Sequence, residues 1–288
     1  MNYIKWFEKN TESLEGKVVA VTGSTGGLGI EICNHLASLN AKLIFLNRNL
    51  DKSTIFCDEL KKKYPNLKIK TIKLDLEDFD NVKEVTLKLK DEKVDFLIHN
   101  SGTYKIKRHK TSIGLDNIFQ VNFFAPYYMT KELLKENDVL KVIVVGSISY
   151  KFSKLKEDDI DYSCVKNDTK VYGNSKRFLM YSMYELFKNK KENLTIAHPG
   201  ITHTNIMTNY PKFISKLIKY PMKLIFNSPK KSSLPMIKAI FTSCDSYHWI
   251  GPSAFNIWGK PKVKKLKKHK NEESDRIFKI AENLYKKH

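Results

Sequence analysis

Tyr172 and Lys176 bracket the stretch Tyr-Gly-Asn-Ser-Lys. Side chains four residues apart on a helix point the same way. An ammonium beside a phenol lowers the phenol's pKa from its ordinary value of about 10. A phenol tuned in that way passes a proton to or from a substrate oxygen near neutral pH. Lysine is abundant in this chain, so the pair gains meaning from what precedes it. Upstream stand a glycine-rich run, Thr22-Gly-Ser-Thr-Gly-Gly-Leu-Gly29, then Asn122, then Ser147. Each residue has a plainer use. Tyr172 could pack on a loop, Lys176 could be a surface cation, Ser147 could cap the turn after a strand, and Asn122 could be a polar contact inside a helix. Their order along the chain favours chemistry. A serine-hydrolase reading fails, because Gly146-Ser147-Ile-Ser149 lacks the second glycine of the nucleophile elbow.

The elements that must position these residues follow from hydrophobic periodicity. Continuous apolar runs predict buried strands over 17–22, 41–46, 67–74, 94–98, 141–146 and 194–197, with a last short strand near 253–258. Helices are predicted over 30–39, 50–64, 79–89, within 112–136, over 171–189 and near 230–243. Residues 1–15 read as an amphipathic lead-in anchored by Ile4, Trp6 and Phe7, and 151–170 as an insertion loop. This alternation predicts an α/β fold, a doubly wound parallel sheet of Rossmann type with helices on both faces. One domain is expected over 1–288. Its core is 16–258, with a substrate lid at about 201–228 and a lysine-rich C-terminal extension at 259–288 that could close with an amphipathic helix.

A glycine turn between the first strand and the first helix does specific work. Gly23, Gly27 and Gly29 remove Cβ atoms where backbone approaches a pyrophosphate or packs on the sheet. The helix N-terminus then faces the phosphates. The second strand ends in Leu46-Asn47-Arg48 without the acid that holds a ribose 2′-hydroxyl. Asn47 can donate to a 2′-phosphate and Arg48 can pair with it, so NADP(H) is expected over NAD(H). Asp75 closes the third strand, where it could accept from an adenine amino group or cap the following helix.

Together these residues resemble the short-chain dehydrogenase/reductase family. Thr22 to Gly29 match its nucleotide motif, and His99-Asn100-Ser101-Gly102 match its Asn-Asn-Ala-Gly element in part. Asn122, Ser147, Tyr172 and Lys176 match its active-site residues, and Pro199-Gly200 its Pro-Gly element. Asn47-Arg48, the gap of 25 residues between Ser147 and Tyr172, and His198-Pro-Gly-Ile-Thr-His-Thr204 are most similar to the retinol dehydrogenase-like branch. The resemblance implies hydride transfer between a nicotinamide and a hydrophobic carbonyl or alcohol. It implies cofactor contacts from Gly23, Ser24, Thr25, Gly27, Leu28, Gly29, Asn47, Arg48, Asp75, Leu76, Asn100, Ser101, Gly102, Tyr172, Lys176, Pro199, Gly200, Thr202 and Thr204. It makes Tyr172 the proton donor, has Lys176 bind the nicotinamide ribose, has Ser147 position the substrate oxygen, and has Asn122 hold a water. His99 and Ser101 depart from the pattern. A non-catalytic nucleotide-sensing or anionic-surface-binding protein on the same fold is the competing expectation.

The 288-residue chain carries 51 Lys and Arg against 31 Asp and Glu, a formal charge of +20. Lysine supplies nearly all of it. Arginine, the residue that reads base edges best, stands only at 48, 108, 177 and 276. No nucleic-acid partner is expected, and the lysines read as a solvated surface or a site for anionic membrane. The segment 210–226 interleaves apolar and basic residues, as a substrate lid or a bilayer-surface helix would. Cys33, Cys57, Cys164 and Cys244 show no metal-ligand spacing, so no metal is expected. Free thiols and the absence of a signal-like start point to the cytoplasm, with peripheral membrane contact open. A homo-oligomer built on the helices at 112–136 and 171–189 is compatible with the resemblance, unless the C-terminal extension blocks it.

Overall fold

The computed structural model describes residues 3–200, 227–267 and 269–288. Eight strands form one sheet in the order β3-β2-β1-β4-β5-β6-β7-β8. They are β1 (Val18–Thr22), β2 (Lys42–Asn47), β3 (Ile69–Lys73), β4 (Phe96–His99), β5 (Lys141–Val145), β6 (Leu194–Ala197), β7 (His248–Ala254) and β8 (Trp258–Lys265). Pairing is parallel from β3 through β7, and β8 returns antiparallel to β7. The central strands are buried along most of their length because both faces are covered. The doubly wound fold is therefore as expected.

One face packs on α4 (Phe79–Asp91), α6 (Ala125–Leu134), α7 (Asp168–Leu186) and the C-terminal helix. The other packs on α2 (Gly27–Ser38), α3 (Leu50–Lys63) and, after a short α8 (Pro229–Ser232), α9 (Leu234–Phe241). An N-terminal helix, α1 (Tyr3–Asn10), buries Trp6 and leans Phe7 on the second layer. Ile4, expected as an anchor, is 64% exposed.

Three segments differ from the sequence-based expectations. The helix expected within 112–136 begins as α5 (Asn117–Phe119), passes through a π turn (Gln120–Phe124) and continues as α6. That turn carries Asn122, and π turns often mark functional sites. The loop expected from 151 is preceded by a 3₁₀ turn, Ile148–Phe152, whose cap is Ser147. The strand expected near 253–258 is the tip of a hairpin, because β7 starts earlier and β8 follows it. The lysine-rich run is thus an edge strand and not a tail. Alternation along it buries Pro261 and half-buries Val263, while Lys260 and Lys262 face out. Lysines on an exposed edge discourage pairing with another sheet. After it, α10 (Asn271–Lys287) lies against α7, with Ile277 and Ala281 buried.

Candidate active site

The strand order reverses direction between β1 and β4, and an open α/β sheet has its crevice at the carboxyl ends there. The predicted residues converge at this point. After β1 the chain turns through Gly23 at φ +67°. A Cβ on Gly29 would stand 2.1 Å from the Gly23 carbonyl oxygen, so the turn closes only without one. From β4, Asn100 donates its amide to the Thr22 and Gly23 carbonyls at 3.0 Å each. Thr22 Oγ1 accepts from the Asn100 and Ser101 N–H groups at 3.0 and 2.9 Å. Ser101 therefore keeps the backbone bond of the motif despite its altered side chain.

The N-terminus of α2 starts at Gly27, and its cap residue, Gly26, supplies no side-chain bond to the first N–H groups. Uncapped N–H groups at a helix start fit an anionic phosphate. Leu28 is half-buried and packs against the apolar layer under α2. Ser24 is buried and Thr25 is partly exposed beside it.

Asn47 departs from its expected role. It is 3% exposed, and its amide donates to Ser24 Oγ at 2.6 Å and Ser53 Oγ at 2.8 Å. Both donors are spent inside the protein, so Asn47 braces the turn and has none to give a phosphate. Arg48 is exposed, with no ion pair among the described residues. Asp75 accepts from the Glu77 N–H at 3.1 Å, and Asp78 is the residue that caps α4. Leu76 is buried, and Gln120 donates to the carbonyls of Leu76 and Glu77 at 2.9 and 2.8 Å.

On the other side of the crevice, Tyr172 and Lys176 lie on α7 and Ser147 follows β5. Ser147 lies near enough to Tyr172 to lower its phenol. Ser147 accepts from the Ser149 N–H at 3.2 Å and donates to Ser149 Oγ at 3.1 Å, so it caps the 3₁₀ turn. Lys176 is 2% exposed and donates to the Val145 carbonyl at 2.9 Å. Its Nζ lies 5.9 Å from the centroid of the Tyr172 ring. Burial lowers the Lys176 ammonium to about 8. Burial raises the Tyr172 phenol to about 12, Ser147 opposes that rise, and Tyr104 adds to it. The expected lowering of the phenol by Lys176 is therefore absent from this arrangement. Burial is the largest influence on the phenol, and the ammonium bonds a carbonyl instead of the phenol.

Asn122 reaches the same place from the π turn. Its Oδ1 accepts from the Thr103 N–H at 2.7 Å, and its amide donates to the Thr103 carbonyl at 2.9 Å and Ser175 Oγ at 3.0 Å. Asn122 thus braces the loop after β4 against α7, and a water relay would have to use its one remaining lone pair. Gly102 sits between, its missing Cβ 3.3 Å from Asn122 Oδ1 and 3.5 Å from Lys176 Nζ. His99 lies beneath, 1% exposed, with Nε2 2.8 Å from Thr130 Oγ1. Burial and then Lys176 hold His99 down at about 3, so the imidazole is neutral. Gly200 stands at φ +83° after Pro199. Thr202, Thr204 and residues 201–226 of the expected lid lie outside the described residues.

Three contributors were not anticipated. Tyr104 packs edge-on to Tyr172, with ring centroids 5.2 Å apart. Gly173 permits the close approach of α7 to the 3₁₀ turn, since a Cβ there would fall 2.4 Å from the Ser149 carbonyl oxygen. Arg177, next to Lys176, donates to the carbonyls of Tyr150 at 2.8 Å and Ser153 at 3.0 Å and pairs with Glu273 of α10. A glycine just after the candidate tyrosine was a legible signal, whereas the Arg177–Glu273 pairing across 96 residues was not.

Comparison with known proteins agrees with this geometry. A family model described as short chain dehydrogenase matches residues 17–213. Human polyprenol dehydrogenase is 25% identical over 246 residues, covering 78% of this chain and 73% of that protein. Mouse retinol dehydrogenase 12 is 27% identical over 204 residues, covering 68% and 65%. Among solved structures, the NADPH-dependent 3-quinuclidinone reductase of Rhodotorula rubra superposes with a TM-score of 0.63 at 19% identity, covering 81% of this chain and 89% of its own. An uncharacterised protein of Mycobacterium paratuberculosis reaches a TM-score of 0.76 at 20% identity, with 96% of each chain covered. This chain belongs to the short chain dehydrogenase family, on its retinol dehydrogenase-like branch, and is an NAD(P)-dependent oxidoreductase.

Proposed function

We propose that this protein interconverts a hydrophobic carbonyl compound and its alcohol using NADP(H), with Tyr172, Ser147, Lys176 and Asn122 as its working residues. The observation that carries this reading is the meeting of Tyr172 with Ser147, near enough to lower the phenol, and with buried Lys176 at the carboxyl ends of the central strands. The glycine turn, the uncapped start of α2 and the exposed Arg48 fit a dinucleotide carrying a 2′-phosphate. When bound, the nicotinamide would exchange hydride with the substrate carbon. The protein then has to hold the substrate oxygen and move one proton.

Ser147 donates to the substrate oxygen and keeps it within reach of the phenol. Tyr172, protonated throughout the neutral range with its phenol at about 12, gives its proton to that oxygen during reduction. In the reverse direction its phenolate takes the proton. Lys176, charged below about 8, would hold the nicotinamide ribose, and its ammonium is the cation nearest a phenolate formed in the reverse direction, 5.9 Å from the ring centroid. Asn122 fixes the loop that carries Gly102 against α7, which keeps Lys176 in register. Relatives named for retinol and polyprenol support an apolar substrate.

The test is NADPH oxidation over a panel of apolar aldehydes and ketones, with Tyr172→Phe alongside. Wild-type turnover falling by about 10²–10⁴ in the variant is expected. Equal inertness of both proteins over the panel, with NADPH still bound, would favour a nucleotide sensor instead. For the cofactor, Arg48→Ala should weaken NADPH binding and leave NADH binding unchanged. Equal wild-type affinities for the two would defeat the NADP(H) preference.

A further inference from the structure

The hairpin between β7 and β8 carries an aromatic residue where folding alone would not put one. Ala254 to Ile257 form its turn, closed by the Ile257 N–H donating to the Ala254 carbonyl at 2.9 Å. Both central residues, Phe255 and Asn256, have positive φ, +50° and +59°. That is the backbone of a type I′ turn, for which Asn and Gly are the fitting residues. A bulky side chain at positive φ is strained, and at Tyr162 and Tyr247, which share that backbone, the ring packs into the protein. Phe255 gains no burial in return, since it is 85% exposed. Lys264 holds the turn in place by donating to Asn256 Oδ1 at 3.0 Å.

The strand behind the tip completes the pattern. Trp258, 38% exposed, shares a face of β8 with Lys260 and Lys262, both exposed. An aromatic tip followed by a row of ammonium groups matches the layering of an anionic bilayer, apolar below and phosphate above. The rest of the chain, at +20, adds attraction of the same sign. The tip also stands on the cleft side of the sheet. Its Ile257 carbonyl accepts from Asn227 and lies 2.9 Å from where a Cβ on Gly200 would be.

We propose that the β7–β8 hairpin is a membrane-docking tip that places Phe255 and Trp258 among the lipids of an anionic phospholipid surface, with Lys260 and Lys262 on the headgroups. Read with the proposed activity, docking there would bring the cleft to the layer that holds an apolar substrate. The docking itself does not depend on that activity.

The experiment is sedimentation of the full chain with vesicles of equimolar phosphatidylcholine and phosphatidylserine, compared with pure phosphatidylcholine. Intrinsic fluorescence is followed in parallel. Of the three tryptophans, Trp6 and Trp249 are buried, so a blue shift on vesicles and quenching by brominated lipid report Trp258. Binding to the anionic vesicles is expected. It should fall at least about tenfold in Phe255→Asn, and about as far in the Lys260→Glu, Lys262→Glu double variant. Phe255→Asn suits the turn, so it should fold at least as well as the wild type. Tyr172→Phe should bind vesicles as the wild type does, which separates docking from catalysis. No sedimentation with anionic vesicles at low salt, equal sedimentation of Phe255→Asn, no quenching of the shifted tryptophan, or retention on duplex DNA alone would each overturn the proposal.

Discussion

At the turn after β1, the atoms that fix the backbone come from the turn itself and from the end of the neighbouring strand. Asn100 and Thr22 exchange bonds across β4 and β1, and Gly29 admits the Gly23 carbonyl. At α7 the support comes from outside the sheet. The helix that carries Tyr172 and Lys176 is held by a residue almost a hundred positions away. Arg177 ties the 3₁₀ turn after Ser147 to α10 through Glu273, which also accepts from the Leu155 N–H at 3.1 Å. α10 adds further bonds to α6, from Tyr127 and Lys131 to Glu282. The nucleotide half is thus braced by the adjacent central strand, and the α7 half by the C-terminal helix. Two short motifs meeting on neighbouring strands carry the geometry of the first, and packing of the C-terminal helix carries that of the second.

The largest break in this contrast should come from Arg177→Met. It leaves Glu273 buried without its partner, and removing one member of a buried ion pair costs about 3–5 kcal/mol. Denaturant melts should show that loss, and turnover should fall more than NADPH affinity. Pairing it with Glu273→Leu should recover part of the stability. Recovery stays incomplete, because the Tyr150 and Ser153 carbonyls still lack their donor. If NADPH affinity falls as steeply as turnover, the two halves are not separately braced.

Two glycine variants sharpen the same comparison. Gly29→Ala forces a Cβ onto the Gly23 carbonyl, and Gly173→Ala forces one onto the Ser149 carbonyl. Backbone oxygens yield little, so each should cost about 1–3 kcal/mol. Titration should show the first losing nucleotide affinity. Steady-state kinetics should show the second losing turnover with nucleotide affinity kept.

A smaller effect is expected from acid. His99 and His198 are buried neutral, at about 3 and about 4, against 6.5 for a free imidazole. In both, burial is the main cause of the lowering. The unfolded chain therefore takes up protons that the native chain refuses as pH falls below 6.5. Stability is fully present above that pH and falls by about 1.4 kcal/mol per pH unit for each histidine until its native pKa is reached. Urea midpoints measured stepwise through this range should show the slope, and His99→Gln should reduce it by the share of one group.

Much of the candidate site was legible because it is written in short-range chemistry. Glycines that must lack a Cβ, a strand running into a helix, and a phenol and an ammonium four residues apart each show in a few residues. Asn47 misled, since its type allows donation to a phosphate and only its burial shows that Ser24 and Ser53 take both donors. The edge strand β8 was hidden by composition, since lysines on alternate positions give it the look of a solvated tail. The π turn left no trace in periodicity, because one added residue within a helix shifts the apolar spacing only slightly.

Residue type and spacing by themselves determined the layered α/β fold, the nucleotide turn and the ordered set of Asn122, Ser147, Tyr172 and Lys176. Local sterics and hydrophobic period act over a few residues, and the sequence displays them directly. The tertiary structure alone decided the proton affinities at that set, which burial moves in the direction opposite to the one their pairing suggests. It alone decided that the C-terminal helix, packed against α7, holds that helix in place. Burial and long-range pairing depend on what the folded chain brings alongside each group, and no stretch of sequence contains its own surroundings.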